Sequence, residues 1–249
     1  MLASTAAYNI TWEKLPDDFK LDDDPVDNIN QPPLAAALTE SLQLAGKLPA
    51  NALTVTNYGI CATFNGKIIV KAPDWGYVPE IRVARSQVER SYTPQLEGDI
   101  PIIVMEFISD TDGTAYSIKP TYPPGKWFFY EQVLRVPYYA IFNPATGELE
   151  VYQLDESGRY ALTDPNTDHR YSIAQMGLFL GVWQGTRENR TGAWLRWWDE
   201  NGHLLLWGSE LVEQERQRAE QERQRAEQER QRADRLAAKL RAAGIDPEE

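Results

Sequence analysis

Three side chains have the types and order that metal-dependent hydrolysis requires: Asp74, Glu106 and Lys126. Glu106 directly follows the apolar run at residues 102–105, where a carboxylate is costly to bury unless another group pairs with it. If the three converge at one end of a sheet, the two carboxylates would hold Mg²⁺, or Mn²⁺, through oxygen ligands and waters. The metal would lower the pKa of a bound water, and the lysine would stabilise developing negative charge. Spacing alone favours ordinary surface and turn residues, because a chain of this length has many carboxylates and lysines.

The elements that would position these residues form a strand–loop–helix–strand unit. Residues 102–105 are apolar and rich in β-branched side chains, which predicts a buried strand. Residues 125–135 carry apolar side chains at helical spacing, and residues 138–142 form a second short apolar run. Asn143-Pro144 is typical of a turn and would end that run. The sequence therefore predicts an α/β unit with one acidic residue inside it.

Flanking segments extend this unit on both sides. Pro32-Pro33 precedes a helical pattern over residues 34–46, since proline is favoured in the first turn of a helix. Asn65-Gly66 is a strong hairpin signal, and Asn201-Gly202 makes a second turn of this kind. Strands are predicted at residues 54–64, 67–71 and 76–83, a strand–turn–strand at 148–160, edge strands at 178–183 and 193–198, and a further strand at 203–207.

Charge and composition restrict the class of protein. The net charge is −12. The part from Leu211 onward contributes only −1, because it contains 10 acidic and 9 basic residues. A body this acidic argues against binding DNA by bulk electrostatics, although a local basic groove or a metal-filled acidic site is compatible with it. No run of about 20 apolar residues and no secretory signal is present, so no membrane partner is expected. The single cysteine, Cys61, excludes an intramolecular disulfide, and a cytoplasmic protein is expected.

The chain divides into an acidic lead-in at residues 1–31, a core at 32–208 with an aromatic-rich extension from about 163, and a charged helix at 209–249. ERQRAEQ at 215–221 recurs at 222–228 and begins again at Glu229, so one helix face returns every seven residues. Each heptad has only alanine as an apolar residue, whereas a stable coiled coil needs two larger ones. A long solvated helix is therefore favoured, and an oligomerisation helix that supports a homodimer, or binds a protein partner, stays open.

The order of several short motifs resembles the Uma2 family. They are Pro73-Asp74, Glu106-Phe107-Ile108-Ser109, Lys126 with Tyr130 four residues on, and Val136-Pro137-Tyr138-Tyr139 before Asn143-Pro144. Uma2 proteins are restriction-endonuclease-like members of the PD-(D/E)xK nuclease superfamily and are abundant in cyanobacteria. The tail motifs at residues 236–241 and 244–247 also resemble family tails. The resemblance implies an α/β (α+β) fold of the restriction-endonuclease-like type, a mixed sheet flanked by helices, over roughly residues 25–160.

The resemblance also implies a magnesium-dependent endonuclease that hydrolyses phosphodiester bonds, with DNA favoured over RNA as substrate. Asp74 and Glu106 would be the metal ligands. Lys126 would be a catalytic lysine on the neighbouring helix, because Ile108 stands where the superfamily has its lysine, two residues after the acid. An early acidic residue of the first helix would correspond to Asp27 or Glu40. The alternative is a catalytically degenerate nuclease fold that acts as an interaction or assembly module through its aromatic extension and C-terminal helix.

Overall fold

The computed structural model describes residues 8–14, 16, 29–108 and 113–242. The chain splits into two compact units, Met1–Leu205 and Leu206–Glu249. Most of the acidic lead-in, Asp27 included, and the tail motif at 244–247 lie outside the described residues. The strands are β1 (Ile10–Thr11), β2 (Leu53–Val55), β3 (Ile60–Phe64), β4 (Lys67–Lys71), β5 (Trp75–Val78), β6 (Ile103–Phe107), β7 (Tyr138–Asn143), β8 (Glu148–Leu154), β9 (Tyr160–Leu162), β10 (Arg170–Ile173), β11 (Leu178–Arg187) and β12 (Arg190–Asp199); the α-helices are α1 (Gln31–Leu44), α2 (Lys126–Phe128) and α3 (Gly208–Ala242).

A six-stranded mixed sheet forms the centre of the first unit. Its strands lie in the order β2-β5-β6-β7-β8-β9, and only the β6–β7 pair is parallel. Parallel neighbours cannot be joined by a tight turn, so the chain must cross over between them, and a helical segment lies in that crossover. The predicted strand–loop–helix–strand unit is therefore confirmed, and the fold is of the mixed α+β class. β6 is fully buried and continues past the predicted run to include Glu106.

The helix in the crossover differs from a regular α-helix. α2 passes directly into a π-helix at Phe129–Leu134, which ends where Arg135 adopts the left-handed conformation with φ of 59°. The π-helix carries Phe129 and Tyr130, which are fully buried. Apolar burial of these large rings is worth about 1.5–3 kcal/mol each, which compensates for the less favourable backbone geometry. π-Helical turns are frequently found at functional sites.

Helix α1 begins three residues before the predicted start and has the two prolines in its first turn, as expected. One face is buried through Leu34, Leu38 and Leu42. Thr39 on this helix accepts a hydrogen bond of 2.9 Å from the Trp75 indole of β5, so α1 is fixed beside the strand that follows Asp74.

The Asn65-Gly66 hairpin is confirmed. Both residues have positive φ, 50° and 74°, which the tight turn between β3 and β4 requires. The strand predicted over residues 54–64 is wrong as a single element, because β2 joins the central sheet while β3 pairs with β1 and β4 in a separate small sheet. The strand predicted over residues 76–83 is shorter in the structure, where it ends at Val78.

The third sheet, β10-β11-β12, contains the aromatic extension. The prediction of two edge strands was wrong for β11, which is the middle strand, and both strands of the hairpin are ten residues long. Polar residues near the turn between β11 and β12 interrupt the apolar pattern, so the sequence did not reveal the full length of the two strands. The Asn201-Gly202 turn is present, but the strand predicted after it is reduced to one bridge between Trp198 and Leu204.

Two arginines of the β11–β12 hairpin hold helix α1. Arg187 forms an ion pair of 2.6 Å with Glu40, and the Arg190 Nε donates a 2.8 Å hydrogen bond to the Asn30 side chain. Both arginines also lie over the Trp194 ring, with Arg190 at 4.5 Å from its centroid. The extension is thus attached to the helix that begins beside the candidate site.

The second unit contains the 35-residue helix α3, which has no buried residue. Its ion pairs join an arginine to a glutamate three residues earlier, as in Arg216–Glu213, Arg218–Glu215 and Arg223–Glu220. Pairs at this spacing form on the surface of a single helix, which supports a solvated helix. Among the described residues, no helix is both long and apolar enough to cross a membrane.

Candidate active site

The strand register places Asp74 and Glu106 at neighbouring positions. In the antiparallel β5–β6 ladder, Trp75 faces Met105, and Asp74 directly precedes the first residue of this pair while Glu106 directly follows the second. Asp74 therefore lies next to the end of β6 that carries Glu106, and its negative charge acts on the Glu106 carboxyl group.

The Asp74 carboxylate accepts hydrogen bonds from two elements, β6 and α1. Its Oδ2 accepts a 2.6 Å hydrogen bond from the Phe107 backbone N–H and a 3.3 Å bond from the Gln31 side-chain amide. The same Gln31 nitrogen donates to the Phe107 carbonyl at 3.1 Å. Gln31 is the first residue of α1, so the start of this helix positions Asp74 relative to the end of β6.

The Glu106 carboxylate is 2% exposed and is bonded at both oxygens. Lys126 Nζ donates to Oε2 at 2.7 Å, and the Tyr130 hydroxyl donates to Oε1 at 3.2 Å. Lys126 and Tyr130 are four residues apart, which places both on one side of the helical segment above β6. The lysine side chain is 23% exposed, so its ammonium group borders both the buried acid and the solvent.

Burial raises the pKa of Glu106 to about 8, because the charged form loses its hydration inside the protein. The negative charge of Asp74 raises this pKa further, whereas Lys126 and the Tyr130 hydroxyl lower it. The net direction is upward, so Glu106 keeps its proton to a higher pH than an exposed glutamate does. Strongly perturbed carboxyl groups of this kind cluster at functional sites.

A close backbone contact sets the position of Lys126. A Cβ atom on Gly125 would lie 2.0 Å from the Ser117 carbonyl oxygen, so only glycine fits there. The Gly125 N–H also donates to the Lys119 carbonyl at 2.9 Å. Farther along, the buried Glu131 accepts a 2.7 Å bond from the Tyr160 N–H and ties the π-helix to β9. Both ends of the helical segment are therefore fixed.

The structure brings Glu106 and Lys126 into direct contact and sets Asp74 at the adjoining position. Sequence reasoning missed Gln31 and the Phe107 backbone, because an amide before two prolines carries no signal beyond a helix start. Glu40 does not take part: it lies nine residues after Gln31, about 13 Å along the helix, and pairs with Arg187. Among the described residues no group of three or more His, Cys, Asp or Glu side chains is arranged to hold a metal ion.

Comparisons with known proteins place the chain in a family. A family model described as "Uma2: Putative restriction endonuclease" matches residues 35–186. Searches of the curated proteins and of the solved structures found no match. The matched range contains Asp74, Glu106 and Lys126, whereas Gln31 and Arg190 lie just outside it. Because the match covers more than half of the sequence, the chain belongs to the Uma2 family.

Proposed function

We propose that this protein is a metal-dependent endonuclease that hydrolyses phosphodiester bonds of nucleic acid. The observation that carries the proposal is the buried Glu106 carboxylate, bonded to Lys126 at 2.7 Å and set beside Asp74. Burying two ionisable groups against each other gains little stability, because desolvation offsets the attraction between them. A chemical role accounts for it better, and membership of a nuclease-like family supports that role.

The available ligands fit a hard cation. Glu106 on β6 and Asp74 just before β5 provide carboxylate oxygens, and the Phe107 carbonyl oxygen lies beside Asp74, since one amide nitrogen of Gln31 contacts both. Mg²⁺ is usually bound through one or two carboxylates and keeps several waters, and Mn²⁺ suits the same ligands. When bound, such a cation supplies a water of lowered pKa and neutralises charge on the phosphate.

The residues of the chain would divide the remaining work. Asp74 is oriented by the Phe107 N–H and by Gln31, so its carboxylate has a fixed direction. Tyr130 holds one oxygen of Glu106 while the other faces Lys126. The partly exposed Lys126 ammonium would donate to a phosphate oxygen as negative charge develops there. Lys126 would thus supply the ammonium group that Ile108 lacks.

The test is cleavage of plasmid DNA and of RNA with Mg²⁺ or Mn²⁺ by the intact protein, Asp74→Asn and Glu106→Gln. Glu156→Gln is the matched control, because Glu156 is an exposed carboxylate in the turn between β8 and β9 of the same sheet. We expect metal-dependent cleavage that both site variants reduce at least 100-fold and the control leaves unchanged. Cleavage that survives both substitutions would mean that the site lies elsewhere.

A second candidate function is an interaction module without catalysis. The Lys126–Glu106 pair is already complete without a metal, and the chain carries a net charge of −12. In this alternative, helix α3 would bind a protein partner or a second copy of the chain. The absence of cleavage by folded protein on all substrates would favour it, and sedimentation velocity would then report whether a homodimer forms.

A further inference from the structure

Three exposed apolar side chains lie in the segment that leads into Lys126. Tyr116 is 41% exposed, Ile118 64% and Tyr122 48%. We call Tyr116, Ile118 and Tyr122 the apolar edge. Isolated exposed apolar residues are ordinary, but three within seven residues of the sequence, beside a candidate active site, indicate a surface that contacts a partner.

The backbone beneath the apolar edge is fixed. The buried Tyr139 hydroxyl donates to the Ala115 carbonyl at 2.8 Å, and the Ser117 carbonyl accepts from the Phe128 N–H at 3.4 Å. The Tyr116 ring is stacked over Trp127 at 6.4 Å with an interplanar angle of 26°. These bonds present the rings in a defined direction, so a partner that stacks on them does not have to order the segment first.

The charge on the Tyr122 side of the apolar edge is positive. Residues 60–71 and 113–126 together contain four lysines and no acidic residue, on a chain with a net charge of −12. The two segments are in contact, because the Tyr122 hydroxyl donates to the Ile68 carbonyl and Lys67 lies 4.8 Å above the Tyr122 ring. Lys67 and Lys119 are exposed. This local positive charge complements a phosphate backbone.

An acidic boundary limits the surface on its other side. Glu150 on β8 accepts hydrogen bonds from Tyr116 at 2.7 Å and from Tyr152 at 3.0 Å. Together with Glu148 it lines a cleft of about 400 Å³ beside Ile108. Carboxylates repel phosphate, so a nucleic-acid backbone would follow the lysine side of the apolar edge.

We propose that the apolar edge, together with Lys67 and Lys119, binds single-stranded nucleic acid next to Lys126. The bases would stack on Tyr116 and Tyr122, and the two lysines would contact phosphates. Unpaired bases can be splayed onto aromatic rings, whereas the bases of a duplex are already stacked on one another. This inference deepens the proposed nuclease function and rests on it for the placement of the strand at the site.

The test is fluorescence anisotropy of labelled 12-nucleotide DNA and RNA strands and of the matching DNA duplex, in EDTA so that no cleavage occurs. We expect the single strands to bind at least 10-fold more tightly than the duplex. Tyr116→Ala and Tyr122→Ala should each weaken this binding about 10-fold, whereas Tyr116→Phe keeps the ring and should bind as the wild type does. Leu162→Ala, an exposed apolar residue on β9, is the control. Lys119→Ala should reduce the slope of log affinity against log salt by about 0.7.

Other results would overturn the inference. They are equal or tighter binding of the duplex, wild-type affinity in both tyrosine variants, or binding to anionic phospholipid vesicles in place of nucleic acid. The outcome is separable from that of the nuclease proposal. If binding of single strands depends on the tyrosines but no metal ion supports cleavage, the binding surface is confirmed and the nuclease proposal is refuted. If the wild type and the tyrosine variants cleave at equal rates and bind single strands with equal affinities, the nuclease proposal is confirmed and the binding surface is refuted.

Discussion

The buried Glu106 carboxyl makes a prediction about stability that needs no substrate. Burial raises its pKa from 4.5 to about 8 in the folded protein, so the folded state binds this proton more tightly than the unfolded chain does. The resulting stabilisation is complete below about pH 4.5 and is lost as the pH rises to about 8. Glutamine has nearly the same shape as a protonated glutamate but does not titrate. Glu106→Gln should therefore remove this pH dependence.

The magnitude follows from the shift. One pKa unit corresponds to about 1.4 kcal/mol, so between pH 5.5 and 8 the wild type should lose about 3 kcal/mol of unfolding free energy relative to Glu106→Gln. At pH 5.5 the two proteins should be similar in stability, and at pH 8 the variant should be the more stable one. Titratable groups elsewhere affect both proteins equally and cancel in the difference.

The assay is chemical denaturation followed by tryptophan fluorescence at several pH values. Seven of the eight tryptophans precede residue 206, so the signal reports mainly on the first unit. Glu156→Gln is again the control and should show no pH-dependent difference from the wild type. A difference between wild type and Glu106→Gln that stays constant with pH would refute the reasoning. If the variant instead became less stable as the pH rose, the Lys126 ammonium would outweigh burial and Glu106 would be ionised.

Three further predictions concern the surroundings of this carboxyl group. Gly125→Ala should lower metal-dependent cleavage at least 10-fold, because its Cβ would collide with the Ser117 carbonyl oxygen, whereas Gly113→Ala, whose Cβ would meet no atom within 4 Å, should be neutral in the same assay. Manganese binding, measured by calorimetry, should tighten as the pH rises to about 8, since Glu106 must release its proton. Tyr130→Phe removes a hydrogen bond that favours the charged form and should shift this midpoint upward by about 0.5–1 unit; an unchanged midpoint would show that Glu106 is not a ligand.

Local signals in the sequence predicted the elements that surround the site. The apolar run at residues 102–105, the helical spacing after Gly125 and the Asn65-Gly66 turn each depend on neighbours within a few residues. Periodicity and turn chemistry are sufficient for such features. The seven-residue repeat likewise predicted α3, because each heptad places its charges for pairing along one helix.

The features that were missed depend on residues far apart in the sequence. Gln31 meets Asp74 across 43 positions and Phe107 across 76, and no short pattern encodes such a contact. The middle position of β11 depends on pairing with two other strands. The family resemblance, not the spacing, selected Asp74, Glu106 and Lys126 from many similar residues, and their roles in metal binding and catalysis stay predictions.

The crossover between β6 and β7 has a consequence for how such a protein can change. The two strands pair directly from Ile103 with Tyr138 to Phe107 with Phe142, and this register does not depend on the length of chain that joins them. Doubling the length of a flexible connection costs only about 0.6 kcal/mol in closure entropy, less than the loss of one buried methylene group. The exposed side chains of the crossover, such as Tyr116, Ile118 and Tyr122, can therefore be exchanged while Glu106 keeps its place, provided that the Ser117 and Lys119 backbones stay, because they fix Gly125 and with it Lys126. Chains built on this unit can acquire new binding preferences without rebuilding the centre that would perform the chemistry.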